Sequence, residues 1–261
     1  MSGPAHHSGL WIRSYQQAGN TSEKQAEKQA VRLVCFPHAG GSASYFYPLS
    51  RALTPAIDVL AVQYPGRQDR YREPCVDDIH RLADHIYEAL LPCLDRPFAF
   101  FGHSMGALLA FEVARRCEAA MTAWPSRLFV SGRRAPSRHR DERVHLADDA
   151  GLVRELLTVG GTDQRLAADP ELLATVLPAV RSDYRAAETY AFTPGPPLTC
   201  PITALTGGSD PKASVAEVRD WRAHSAGGFT LRVFPGGHFF IEECRDDIVE
   251  IITDSLCPTS R

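Results

Sequence analysis

Phe98-Ala99-Phe100-Phe101-Gly102-His103-Ser104-Met105-Gly106-Ala107-Leu108-Leu109-Ala110-Phe111 joins two apolar runs through a five-residue turn. A Phe-rich run that stops at glycine and resumes at once as an Ala/Leu run reads as buried strand, tight turn, buried helix. In such a turn the central residue sits under backbone strain with its side chain aimed out of the sheet. Gly102 and Gly106 let strand and helix approach closely. Ser104 then stands exposed at the head of a helix as a candidate nucleophile, and the N–H of Met105, unpaired because it begins the helix, is a candidate oxyanion donor.

The composition is that of a globular, water-soluble chain: 261 residues, 44 % hydrophobic and 23 % charged, enough to bury a sizeable core. Lys plus Arg number 28 against 31 Asp plus Glu, a balance that pulls toward neither nucleic acid nor an anionic membrane. The seven cysteines are scattered and contain no Cys-x-x-Cys, so neither a disulfide framework nor a zinc site is expected. His6-His7 is too short for a metal tract, and no cofactor or metal is expected. The N-terminus lacks a basic segment followed by an apolar one, and no apolar run approaches the ~18 residues of a membrane span. A cytoplasmic location and a monomeric state are the expectations.

Outward from residues 98–111, strands and helices alternate. Residues 1–30 form a polar leader, expected to be partly disordered, in which Leu10-Trp11-Ile12 could add an edge strand. Residues 31–36 read as a strand ended by Pro37 and the glycine-rich loop 38–42, and residues 58–64 as a second strand, stopped at Pro65-Gly66-Arg67. Ile79, Leu82, Ala83, Ile86 and Leu90 have helical spacing behind an Asp77 cap. Residues 127–132 are another strand. Near-continuous apolar strands alternating with helices predict a mostly parallel sheet with helices on both faces. From 137 to 197 no strand is evident. Leu152, Val153, Leu156 and Leu157 mark a short helix ended by Gly160-Gly161. Asp169-Pro170-Glu171 opens another, which carries Leu173, Val176, Leu177, Val180, Tyr184 and Ala187 on one face, with Pro178 inside it. These helices are read as a lid inserted between two core segments, 31–136 and 198–261. The sheet resumes at 201–207, a capping box Ser214-Val215-Ala216-Glu217 opens the next helix, 229–234 is the last strand, and 242–256 the closing helix.

A serine nucleophile needs a base, and the base needs an orienting acid. In an open parallel sheet both belong in loops at the carboxyl ends of strands. His238 directly follows the last strand in a Gly-Gly turn, and Asp210 follows the penultimate one. Asp141, beyond the loop Ser131-Gly132-Arg133-Arg134, is a weaker rival for the acid. The glycine-rich loop after the first core strand places the N–H of Ala39 as second oxyanion donor. His38 could touch substrate or act structurally, and His103 is expected to pack behind the turn. Arg133, Arg134, Arg138, Arg140 and Arg143 read as a solvated basic face rather than a docking patch.

Phe36-Pro37-His38-Ala39-Gly40-Gly41, Gln63-Tyr64-Pro65-Gly66-Arg67, Gly102-His103-Ser104-Met105-Gly106, Ser131-Gly132-Arg133-Arg134-Ala135-Pro136 and Gly236-Gly237-His238-Phe239-Phe240 together resemble the type II thioesterases that accompany polyketide synthases and nonribosomal peptide synthetases in antibiotic biosynthesis. The resemblance runs from about Val31 to the last helix. It implies the α/β-hydrolase fold and a serine thioesterase that edits stalled or misprimed synthases. Its partner would be an acyl carrier protein or peptidyl carrier protein bearing acyl-phosphopantetheine, with no nucleic acid and no membrane involved. Matched by position, the triad falls on Ser104, Asp210 and His238, and the oxyanion amides on Ala39 and Met105. A carboxylesterase or acyltransferase would use the same residues, and a non-catalytic binding module would not need them.

Overall fold

The structure is a computed structural model that describes residues 10–15, 31–121, 123–160 and 169–258. Its centre is β4 (Phe98–His103), buried at every position. A strand with no exposed face must be covered on both sides. β2 (Arg32–Phe36) and β5 (Leu128–Ser131) flank it in parallel, and the sheet runs outward through β3 (Asp58–Val62) to β1 (Ile12–Ser14) on one side and through β6 (Ile202–Gly207) to β7 (Phe229–Phe234) on the other. Among the described residues only β1 is antiparallel, pairing Ile12 with Val62 at the edge beyond β3. The edge strand expected in the leader is therefore present, centred two residues later. Trp11, 7 % exposed, anchors it under the Arg70 guanidinium, which stacks 4.1 Å from its ring centre. The rest of the leader, with its expected disorder, lies outside the described residues.

The period of two along the strands sorts the core into two layers. Val34, Phe36, Phe100, Leu128 and Val130 pack against α2 (Ile79–Leu90) and α3 (Met105–Ala119). Leu33, Cys35, Ala99, Phe101 and Phe129 pack on the opposite face against α1 (Tyr47–Leu53) and the closing helix. Hydrophobic burial of this kind is worth about 25 cal/mol per Å², so the two layers hold the rigid frame on which the loops stand.

Two boundaries differ from expectation. Asp78, not Asp77, caps α2: its backbone is extended and its carboxylate accepts the N–H of Arg81 at 2.8 Å, while Asp77 pairs with Arg185 at 3.0 Å. The closing segment is split at Cys244, whose backbone leaves helical geometry, into α7 (Phe240–Glu243) and α8 (Arg245–Leu256). The capping box at Ser214 and Glu217 opens α6 (Val215–Arg219) as expected.

Between β5 and β6 lie α4 (Asp149–Val159) and α5 (Pro170–Glu188), capped by the carboxylates of Asp148 and Asp169. Gly160 ends α4 at a positive φ of 85°. Leu152, Leu177, Val180 and Tyr184 form a small cluster of their own, separate from the two sheet layers. Among the described residues no helix is long and apolar enough to cross a membrane.

Candidate active site

Ser104 adopts φ 55° and ψ −117°, a region a non-glycine residue enters at a strain of about 1–3 kcal/mol. The packing around it enforces that turn. A Cβ on Gly106 would lie 1.9 Å from the Phe36 carbonyl oxygen, and one on Gly102 would lie 2.2 Å from that of Gly106. The Ser104 N–H donates to Ser131 at 2.8 Å, extending the β4–β5 ladder through the elbow. Ser104 stands at the N-cap position of α3, yet its side chain makes no capping hydrogen bond. The hydroxyl thus stays available to the cavity it lines, unlike an ordinary N-cap serine.

His238 and Asp210 come from the loops after β7 and β6. A Cβ on Gly207 would meet the Gly237 carbonyl oxygen at 2.1 Å, so glycine lets the two loops touch. The Ser209 N–H adds a bond to Gly236 at 3.0 Å. His238 Nδ1 lies 2.8 and 3.0 Å from the two Asp210 oxygens. A carboxylate only accepts, so Nδ1 carries the proton and Nε2 is left as a base. Asp210 also accepts the Lys212 N–H at 2.8 Å, which fixes its plane. Both residues are buried, at 8 % and 3 % exposure for Asp210 and His238, where water competes little for their bond. Asp141 is solvent-facing and paired with Arg143, which removes it as the rival acid.

Ser104, His238, Ala39 and Met105 line one cavity of about 170 Å³, closed by Leu156 and Val159 of α4 and Val176, Val180, Tyr184 and Ala187 of α5. No hydrogen bond to the amides of Ala39 and Met105 is formed among the described residues, so both can donate to a ligand oxygen there.

His38 lines the cavity beside Ala39, whereas His103 does not reach it. The rings of His38 and Phe239 meet edge to face at 4.9 Å, and His103 bonds the Ser131 hydroxyl at 3.0 Å, behind the turn as expected. Burial, with His238 and Arg67 adding to it, pushes the His38 imidazole down to about 3, and burial holds His103 well below its ordinary value. The unfolded chain therefore binds protons that the folded one refuses, and stability falls as pH drops from about 6.5 toward 3. His38→Phe is expected to reduce the slope of unfolding free energy against pH by about 1.4 kcal/mol per unit between about pH 4 and 6, read from urea melts. An unchanged slope would show that His38 does not carry that linkage.

The thioesterase domain profile matches residues 31–256. The chain belongs to the thioesterase family. It is 50 % identical over 253 residues to thioesterase PikA5 of Streptomyces venezuelae, covering 97 % of this chain and 87 % of that one. The type II thioesterase BorB from the borrelidin biosynthetic cluster superposes with a TM-score of 0.85 at 50 % identity, over 95 % of this chain and 98 % of BorB. RedJ, a thioesterase from the prodiginine biosynthetic pathway in Streptomyces coelicolor, gives 0.84 at 37 % identity, over 94 % and 97 %. The expected type II thioesterase and α/β-hydrolase fold are thereby met, and the chain is a thioester hydrolase.

In this thioesterase, sequence reading missed what holds the 38–41 loop. Arg67 Nη1 and Nη2 meet the Asp183 carboxylate at 2.5 and 2.9 Å, with the two residues 9 % and 1 % exposed. The same carboxylate accepts the Gly40 N–H at 2.7 Å, and Arg67 donates to the Gly41 carbonyl at 3.1 Å. One ion pair thus ties the 38–41 loop to α5. Arg67 belonged to a recognised motif, but nothing in the sequence pointed to its partner.

The basic face of the thioesterase is solvated at Arg138 and Arg143, 58 % and 70 % exposed, and differs from expectation at Arg134, which is buried, and at Arg133, whose Nε is buried. Arg134 is buried and paired with Glu142, Arg138 with Asp220, Arg140 with Glu217, and Arg143 with Asp141. These four charges are neutralised locally, while Arg133 turns toward the cavity.

Proposed function

We propose that Ser104, His238 and Asp210 are the catalytic triad, with the Ala39 and Met105 amides as oxyanion hole. The substrates we propose are acyl thioesters on the phosphopantetheine arm of acyl or peptidyl carrier proteins, hydrolysed to edit stalled or misprimed synthases. The observation that carries the triad is His238, held by Asp210, lining the same cavity as a strained serine whose hydroxyl is not spent on capping.

Ser104 Oγ attacks the thioester carbonyl carbon while His238 Nε2 takes its proton, and Asp210 stabilises the imidazolium that forms. The charge on the carbonyl oxygen meets two amides that need no reorganisation. As the C–S bond breaks, His238 returns the proton to the leaving sulfur. A thiol with a pKa near 8.5 needs less acid help than an amine would. Water, deprotonated by the same histidine, then cleaves the acyl-serine ester and regenerates Ser104. A cavity of about 170 Å³, near the ~150 Å³ that accommodates benzene, suits short acyl groups. We further propose that the 137–197 helices open as a lid to admit the arm.

Release of free acid from acyl groups on a phosphopantetheinylated carrier protein, beside the same acyl-coenzyme A, tests the partner. Faster release from the carrier is expected. Equal rates would overturn carrier recognition, and cleavage of oxygen esters with no acid from thioesters would overturn the substrate class.

A further inference from the structure

The cavity that contains Ser104 is lined by four charged side chains as well as by apolar ones: Arg133, Glu142, Glu188 and Lys212. Three of them are consumed by protein partners. Glu142 accepts from Arg134 and from Lys212 at 2.8 Å. Lys212 also reaches Glu155 at 2.9 Å. Glu188 takes the N–H groups of Val144 and His145, each at 3.0 Å, and the His145 ring.

Arg133 differs. Its side chain makes one hydrogen bond, from Nη2 to the Ala187 carbonyl at 3.2 Å, and its Nε is buried with no partner among the described residues. A guanidinium has five donors, and leaving buried donors unmade is costly. Burial beside the like-charged Arg134 pushes the group down to about 9, so it remains cationic at neutral pH but under-compensated. The backbone is held firmly, since the buried Trp221 indole donates to the Arg133 carbonyl at 2.8 Å. Its place is close to the chemistry. Ser131 pairs with His103 at the end of the parallel ladder and accepts the Ser104 N–H at 2.8 Å, so Arg133 follows two residues after the strand end that abuts the elbow. A Cβ on Gly132 would lie 3.3 Å from the His238 ring.

We propose that Arg133 is a specificity-determining residue that donates to an oxygen on the acyl group, a 3-oxo or 3-hydroxy substituent a few atoms from the thioester carbonyl. Such an oxygen enters a chamber whose other charged side chains are already paired and fills the donor capacity the protein leaves open. A saturated acyl group offers nothing to the guanidinium and leaves it unpaired. The enzyme therefore discriminates acyl groups by oxidation state at C3 as well as by size. This rests on the thioesterase chemistry proposed for Ser104.

The test compares kcat/KM for 3-oxobutyryl and butyryl thioesters, each carried by a phosphopantetheinylated carrier protein and by N-acetylcysteamine, which has no phosphate. The ratio of the two acyl groups is expected to fall roughly 10-fold or more in Arg133→Met, the size of a lost hydrogen bond to a charged group, with both carriers of the acyl chain. Comparing ratios cancels the intrinsic electrophilicity of the 3-oxo thioester. Arg133→Lys, which keeps the charge and volume, is expected to retain part of the preference and serves if the Met variant does not fold. An unchanged ratio would overturn the proposal. So would an equal loss for both acyl groups confined to the carrier-bound substrates, which would assign Arg133 to the phosphate of the arm. Failure of the wild type to hydrolyse any of the four substrates would instead overturn the catalytic reading of Ser104.

Discussion

Ser104→Ala is expected to lower kcat for thioester hydrolysis roughly ten-thousand-fold or more while leaving the fold intact. The oxygen removed is the atom that must attack, and the His238–Asp210 pair alone provides no substitute nucleophile in covalent catalysis. The groups act as one unit, so His238→Ala added to Ser104→Ala is expected to cost little further, which steady-state rates of the single and double variants check directly. A fluorophosphonate should label the wild type at Ser104 and neither variant. Substantial turnover in Ser104→Ala would remove the triad from the mechanism. The strain at φ 55° adds a second expectation. Ser104→Gly should inactivate equally yet raise stability by roughly 1 kcal/mol, because glycine occupies that conformation without a Cβ penalty. A gain in melting temperature together with lost activity would mark Ser104 as a position where strain is retained for chemistry.

The largest stability effect is expected at Asp183. Asp183→Ala strands the Arg67 guanidinium, 9 % exposed, without its carboxylate, and removes the acceptor of the Gly40 N–H. Breaking a buried pair from one side costs about 3–5 kcal/mol, or a fall in melting temperature on the order of 10 °C for a chain of this size. The double variant Arg67→Met with Asp183→Leu should recover much of that loss, since a packed apolar pair avoids the desolvation of two ions. It should not recover turnover. The loop that presents the Ala39 amide would have lost both its tether to α5 and the Arg67 bond to Gly41, and a loosened oxyanion donor lowers kcat more than it raises KM. Full kcat in a stably folded double variant would show that the loop holds its geometry without the pair.

Residues 98–111 were enough to place the elbow because every constraint there is local. Two glycines that must lack a Cβ, an apolar strand before and an apolar helix after leave one way to turn. The order of serine, acid and histidine was legible for a related reason: parallel strands deliver their following loops to one edge, so a histidine and an aspartate just after β7 and β6 arrive near Ser104 without knowledge of any distance. Caps were legible to within a residue. Asp77 and Asp78 look alike in sequence, and only the extended backbone at Asp78, with Arg185 drawing Asp77 away, separates them.

What the sequence by itself determined is therefore the alternating α/β order, the strained serine and the two loops that face it, all set by local sterics and by the period of apolar residues. The tertiary structure alone decided the pairings between residues far apart in the chain. Arg67 and Asp183 stand 116 positions apart, and the four paired arginines of the 134–143 segment differ from the under-compensated Arg133 only in what the fold places beside them. Charge and burial are properties of a neighbourhood, and side chains acquire neighbours across the sheet only when the chain is folded.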